Sequence, residues 1–147
     1  MKIDNNMKQT CILVLGMHRS GTSALSGTLN LLGVDMGSEL MEKVAENEKG
    51  FFENIHFYNI NERLLKKMHS SWDDVFYTES KLDAINDVTE LESLLRKEIK
   101  HSKIFAIKDP RLAYLLPLYI RALTNMCVNI KVIICLRNPL EIAKSLK

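Results

Sequence analysis

The chain has 147 residues, 46% of them apolar and 26% charged, with 20 Lys plus Arg against 18 Asp plus Glu and a formal net charge of +2. That length suits one domain with a single core. The near balance of charge removes any composition-level case for a nucleic-acid partner, so an anion site has to be local. No apolar run approaches the ~20 residues of a membrane helix, and the polar start, Met1 to Thr10, lacks the apolar stretch of a secretory signal. Cys11, Cys127 and Cys135 are odd in number and show no paired spacing. They read as small core thiols in a reducing compartment, with the cytoplasm as the expected location.

In chain order, the first apolar run is Cys11–Leu15, followed at once by Gly16 and then by a helix-like stretch, Thr22–Leu32, with Leu25, Leu29 and Leu32 on one stripe. Val34–Asn54 reads as loop. Ile55–Met68 is helical in period, carrying Ile55, Tyr58, Leu65 and Met68, and His69–Ser80 around Trp72 reads as loop again. A second helical stretch, Leu82–Ile99, places Leu91, Leu94, Leu95 and Ile99 among charges. Then come a second strand, Ile104–Ile107, a helix Leu112–Met126 with Pro117 marking a break or a fresh start, a third strand Ile130–Leu136, and a helix starting at Pro139.

Short apolar runs without alternation suggest strands buried on both faces, as in a parallel sheet. Strand–helix alternation argues for βαβ units. The expectation is a single α/β domain over residues 1–147, of three-layer α/β/α P-loop type with a parallel sheet. Three strands are few for a stable open sheet, so the chain is expected to be the first part of a larger domain.

Gly16-Met-His-Arg-Ser-Gly21-Thr22-Ser23 has the spacing G-x-x-x-x-G-T-S between the first strand and the first helix. Glycines let the backbone wrap with its N–H groups inward, and a helix N-terminus adds roughly half a positive charge. Thr22 stands where a Walker A loop carries its Lys, the group that reaches the outer phosphates of a nucleoside triphosphate. Positive charge comes instead from Arg19, whose planar fork suits sulfate or phosphate oxygens. Arg137 ends the third strand, and Ser145 lies about two turns inside the helix that Pro139 opens. Strand ends of this kind are where open α/β sheets bind ligands.

GMHRSGTSAL resembles the 5′-phosphosulfate loop of the sulfotransferase family, which uses 3′-phosphoadenosine 5′-phosphosulfate (PAPS) as donor. The resemblance continues through NEKGFFEN (47–54), FAIKDPR (105–111) and CLRNPLEIAKSL (135–146), and bacterial members look most similar. It implies transfer of a sulfuryl group to a hydroxyl or amine of a small-molecule or carbohydrate acceptor, without a metal. It implies donor binding by His18, Arg19, Ser20, Gly21, Thr22 and Ser23, with Arg137 and Ser145 clamping the 3′-phosphate. Lys108, in K-D-P-R, would steady charge on the donor alongside Arg19; a salt bridge to Asp109 or another carboxylate is its competing role. Arg111 would touch substrate or pair with Asp109.

Glu53 is the first choice for the base that takes the acceptor's proton, sheltered by Phe51 and Phe52. Glu48, Glu46 and His56 are the alternatives. Trp72 lines the acceptor cleft or, by preference, plugs a satellite core. Two competing functions stay open: a P-loop nucleotide kinase or NTPase, with Asp109 as the nearest candidate acid for Mg²⁺, and a truncated or degenerate non-catalytic fold that binds nucleotide, or only partners.

Overall fold

The β-branched and apolar runs form three strands, β1 (Thr10–Leu15), β2 (Ile104–Lys108) and β3 (Asn129–Ile134), in a computed structural model that describes residues 8–42, 50–74, 76–100 and 102–146. The three pair in parallel in the order β2-β1-β3, with Val14 opposite Lys108 and Leu15 opposite Ile134. Because every strand runs the same way, the segments after Leu15, Lys108 and Ile134 all emerge at one edge. That single fact positions the site.

Five α-helices accompany the sheet among the described residues: α1 (Thr22–Leu31), α2 (Ile55–Lys67), α3 (Thr89–Glu98), α4 (Leu112–Asn125) and α5 (Pro139–Leu146). Helix α4 supplies the centre of the core, with Leu112, Leu115, Tyr119, Ala122 and Leu123 all fully buried at the 3–4 residue spacing of one helical face. Cys11, Leu13, Phe105 and Ile107 from the strands, Phe57, Ile60 and Leu65 from α2, and Leu91 and Leu95 from α3 pack into the same cluster. Each such side chain contributes about 1.5–3 kcal/mol of burial. The Tyr119 hydroxyl donates to Asn61 Oδ1 at 2.7 Å, which satisfies the hydroxyl, while the buried Asn61 Nδ2 has no partner. Among the described residues no helix is long and apolar enough to cross a membrane.

Several elements depart from their expected form. Leu82–Ile99 is not one helix: a 3₁₀ helix covers Glu79–Ala84, and α3 begins only at Thr89. Asp87 causes the restart, its Oδ1 accepting from the Thr89 amide at 2.8 Å in competition with helical bonds. Conversely, α4 runs straight through Pro117. The proline costs one bond to the Ala113 carbonyl, and both residues are exposed, so that carbonyl lies where solvent can reach it. On α1 the buried face is Thr22 and Ser26, while Leu32 is exposed.

Strand β3 ends at Ile134, and burial on both faces fails for it: Val132, Ile134 and Leu136 are exposed beside an outer strand. Cys11 is a core thiol, with burial pushing its pKa up, but Cys127 is exposed in a left-handed turn after α4 (φ 57°) and Cys135 is half-buried. The core reading of Trp72 fails as well, since it is 48% exposed.

A polar latch ties residues 35–41 to α2 and α3. The Glu98 carboxylate, 1% exposed, accepts from the Ser38 amide at 2.9 Å, the Ser38 hydroxyl at 2.8 Å and Asn54 Nδ2 at 2.8 Å. Asn54 Oδ1 in turn caps α2 through the His56 amide at 2.8 Å. Burial pushes the Glu98 pKa up, but these hydrogen bonds outweigh it and hold the carboxyl below its ordinary value. The Met41 amide donates to the Glu53 carbonyl at 2.7 Å, which fixes Glu53 just ahead of the α2 cap.

Candidate active site

The Gly16–Ser23 loop turns sharply between β1 and α1. A Cβ on Gly16 would lie 2.6 Å from Ser20 Oγ, 2.8 Å from Thr22 Cγ2 and 2.9 Å from the Cys135 carbonyl oxygen, so only glycine lets the loop close against the end of β3. Arg19 (φ 66°) and Gly21 (φ 98°) are both left-handed. Alternating hands of this kind turn successive amides toward one side. Gly21 is the N-cap of α1, makes no side-chain cap and is followed by no acidic residue in the first turn. The amides of the first turn thus keep their hydrogen-bonding capacity and the helix dipole stays uncompensated.

These amides face a cleft of about 400 Å³. His18, Arg19, Gly21, Thr22 and Ser23 line it from the loop, Glu53 from the segment before α2, Lys108 from the end of β2, and Arg137 and Ser145 from the end of β3 and α5. Nine of the ten residues expected from sequence therefore share one cleft.

Ser20 is the exception. It lines a second, mostly apolar cavity of about 690 Å³ with Ile134, Leu136 and Ile142, and its amide donates to the Met17 carbonyl at 3.1 Å. Packed against Gly16, it shapes the loop and does not line the cleft. Arg137 and Ser145 are both tied to the loop: Arg19 Nε donates to Ser145 Oγ at 2.9 Å, and Arg137 Nη1 donates to the Arg19 carbonyl at 3.0 Å. Those two bonds hold Arg19 in its left-handed conformation, which costs a non-glycine residue about 1–2 kcal/mol.

The cations differ in how far they are neutralised. Lys108 and Glu53, 4% and 9% exposed, form a buried ion pair. Of the two roles expected for Lys108, the structure thus displays the carboxylate partner, though it is Glu53 and not Asp109. Burial raises the Glu53 pKa, and the charge and hydrogen bond of Lys108 oppose it. Phe51 lines the cleft beside Glu53, whereas Phe52 (φ 56°) turns its ring onto Gly27. Arg111 bonds to Glu62 and, at 3.1 Å, to Asp109, and its guanidinium lies 4.4 Å above the Tyr58 ring. Arg137 pairs with Glu141 at 3.0 Å in an exposed setting. Arg19 has no carboxylate partner among the described residues.

Of the alternative bases, His56 lies 3.4 Å from Glu39 and lines a different groove. Glu46 and Glu48 lie outside the described residues.

Some groups in and around the cleft were not legible in sequence. Tyr58 and Glu62 hold Arg111 from α2, about one helical turn apart, and nothing near them marks a site. Trp72 stands edge-on to His18, with ring centroids 5.1 Å apart, so the segment after α2 packs against the loop. His18 Nε2 and Asp109 Oδ2 are buried and have no hydrogen-bond partner. Among the described residues no group of three or more His, Cys, Asp and Glu is placed to share a metal ion. Comparison of the chain with family models, curated proteins and solved structures finds no match.

Proposed function

We propose that the cleft binds 3′-phosphoadenosine 5′-phosphosulfate and that the chain transfers its sulfuryl group to a hydroxyl or amine of a small-molecule or carbohydrate acceptor. The observation that carries this reading is the convergence of an uncapped helix N-terminus, Arg19, Lys108 and Arg137 on one cleft, with a hydroxyl where a nucleoside-triphosphatase loop has its lysine. The sheet and helices then form the three-layer P-loop arrangement. Cytoplasmic surroundings suit the free thiols.

The donor set favours an anionic ester over a Mg²⁺-nucleotide. Glu53 is tied to Lys108, and Asp109, the acid nearest a strand end, already accepts from the Arg111 amide at 2.7 Å and its guanidinium at 3.1 Å.

In this reading the first-turn amides of α1 and Arg19 hold the sulfuryl end, while Arg137 and Ser145 hold the 3′-phosphate. The acceptor oxygen or nitrogen bonds to sulfur as the bridging S–O bond breaks, and the electron pair of that bond passes to the departing phosphate oxygen. Lys108 moves from Glu53 to that oxygen as its charge grows. Glu53, released from its partner, takes the acceptor's proton. The two shifts compensate each other: a protonated Glu53 needs no counter-charge, and the ammonium keeps one.

Calorimetry with adenosine 3′,5′-bisphosphate tests the binding half. Binding that weakens about tenfold or more in Arg19→Ala and in Arg137→Ala supports the reading, since each removes a charge-assisted hydrogen bond. Tight, Mg²⁺-dependent ATP binding in its place would favour a nucleotide kinase or triphosphatase.

A further inference from the structure

His18 is a cleft group whose chemistry the reaction above leaves unused. It sits inside the loop, lines the cleft and has a buried Nε2 with no partner. From the end of β2 and the start of α4 it faces Lys108, Asp109 and Arg111; from the segment after α2 it faces the Trp72 ring. Arg19, Glu53 and Arg137 line the same cleft. Arg19 has no carboxylate partner among the described residues, so the surroundings of the imidazole are rich in positive charge.

We propose that His18 takes up a proton from solvent as a sulfate or phosphate ester enters the cleft, and that the imidazolium then donates from Nε2 to an oxygen of that ester. The inference rests on the anion-binding reading of the cleft and deepens it by making binding proton-linked. Without an anion, burial first and then Lys108 and Arg111 hold the His18 pKa below its ordinary value, with Asp109 opposing, so the ring is neutral near neutral pH. A dianionic ester reverses the sign of the local field, and a turn of the half-buried ring brings Nε2, closed to solvent in the free chain, to the acceptor it lacks. Above the free-protein pKa each bound ester therefore brings a proton with it, so affinity falls as pH rises, by up to tenfold per pH unit, until the pKa of the complex is passed.

The test is calorimetry with adenosine 3′,5′-bisphosphate at about pH 7, repeated in buffers of low and high ionisation enthalpy, on the wild type and His18→Gln. The ligand's own titration is common to both proteins. The expected result is that the wild type takes up at least about half a proton more per ligand than His18→Gln does. Equal uptake in the two proteins overturns the inference. Should His18→Gln fail to fold, the ¹⁵N signals of the wild-type imidazoles decide: the His18 ring becomes imidazolium on ligand addition if the inference holds and stays neutral if it does not. Absence of any binding by the wild type is a different result and overturns the reading of the cleft itself.

Discussion

The latch around Glu98 and the cleft around Arg19 are both built from polar side chains, and they use them in opposite ways. In the latch, the capacity of a buried carboxylate is consumed inside the chain: Glu98 takes three donors from Ser38 and Asn54, and Asn54 spends its own oxygen on the α2 cap. In the cleft, positive charge exceeds what the chain neutralises, a helix N-terminus lacks a side-chain cap, and His18 Nε2 has no partner. In the latch, paired polar groups hold the fold; in the cleft, groups with capacity left over are where a ligand would gain its binding energy.

The largest expected effect breaks the cleft's own structural pair. Lys108→Met leaves the Glu53 carboxylate buried without a counter-charge, a loss of about 3–5 kcal/mol in urea unfolding at neutral pH. An unpaired Glu53 has its folded pKa raised further, so the deficit shrinks on acidification as the carboxyl protonates. A deficit independent of pH would show that Lys108 stabilises by packing instead.

Glu98→Gln sharpens the comparison from the other side, with an expected loss of about 1–3 kcal/mol near neutral pH and no change in affinity for adenosine 3′,5′-bisphosphate. Because the folded pKa of Glu98 is held below its ordinary 4.5, its contribution is present above that value and lost as pH falls through the lower folded pKa. Wild-type stability should therefore decline on acidification below about pH 5 more steeply than that of Glu98→Gln. Parallel profiles would remove Glu98 from the account.

Gly21→Ala is expected to be the mildest, about 1 kcal/mol of backbone strain at φ 98°, because a Cβ there meets nothing within 4 Å. Its ligand affinity should fall along with its stability, since the same turn aims the amides. Unchanged affinity would separate the loop's conformation from binding.

The cleft was largely legible in sequence for a topological reason. In a parallel sheet, the segments leaving the strands meet at one edge, and Gly16, Asp109 and Arg137 each come within three residues of a strand's end. The illegible part depended on contacts across long stretches of chain. The Lys108–Glu53 pair spans 55 residues and the Ser38–Glu98 bond spans 60, and neither leaves a local mark.

Local choices that periodicity cannot resolve were misjudged too: Asp87 splits a helix whose apolar spacing continues, and Cys127 takes a left-handed turn in a stretch that looks like core. Ser20 belongs to the loop motif, yet packing against Gly16 points it to the other side. The geometry of the Lys108–Glu53 pair also reshapes the expected chemistry, since a base that begins in an ion pair must be released before it can act.

The most direct measurement follows the backbone amides of Gly21, Thr22 and Ser23 by NMR while adenosine 3′,5′-bisphosphate is added. The account predicts that these three move together and saturate with the calorimetric affinity, and that Arg19→Ala weakens the response without abolishing the fold. Saturable binding that leaves these amides still and shifts signals elsewhere in the molecule would contradict it.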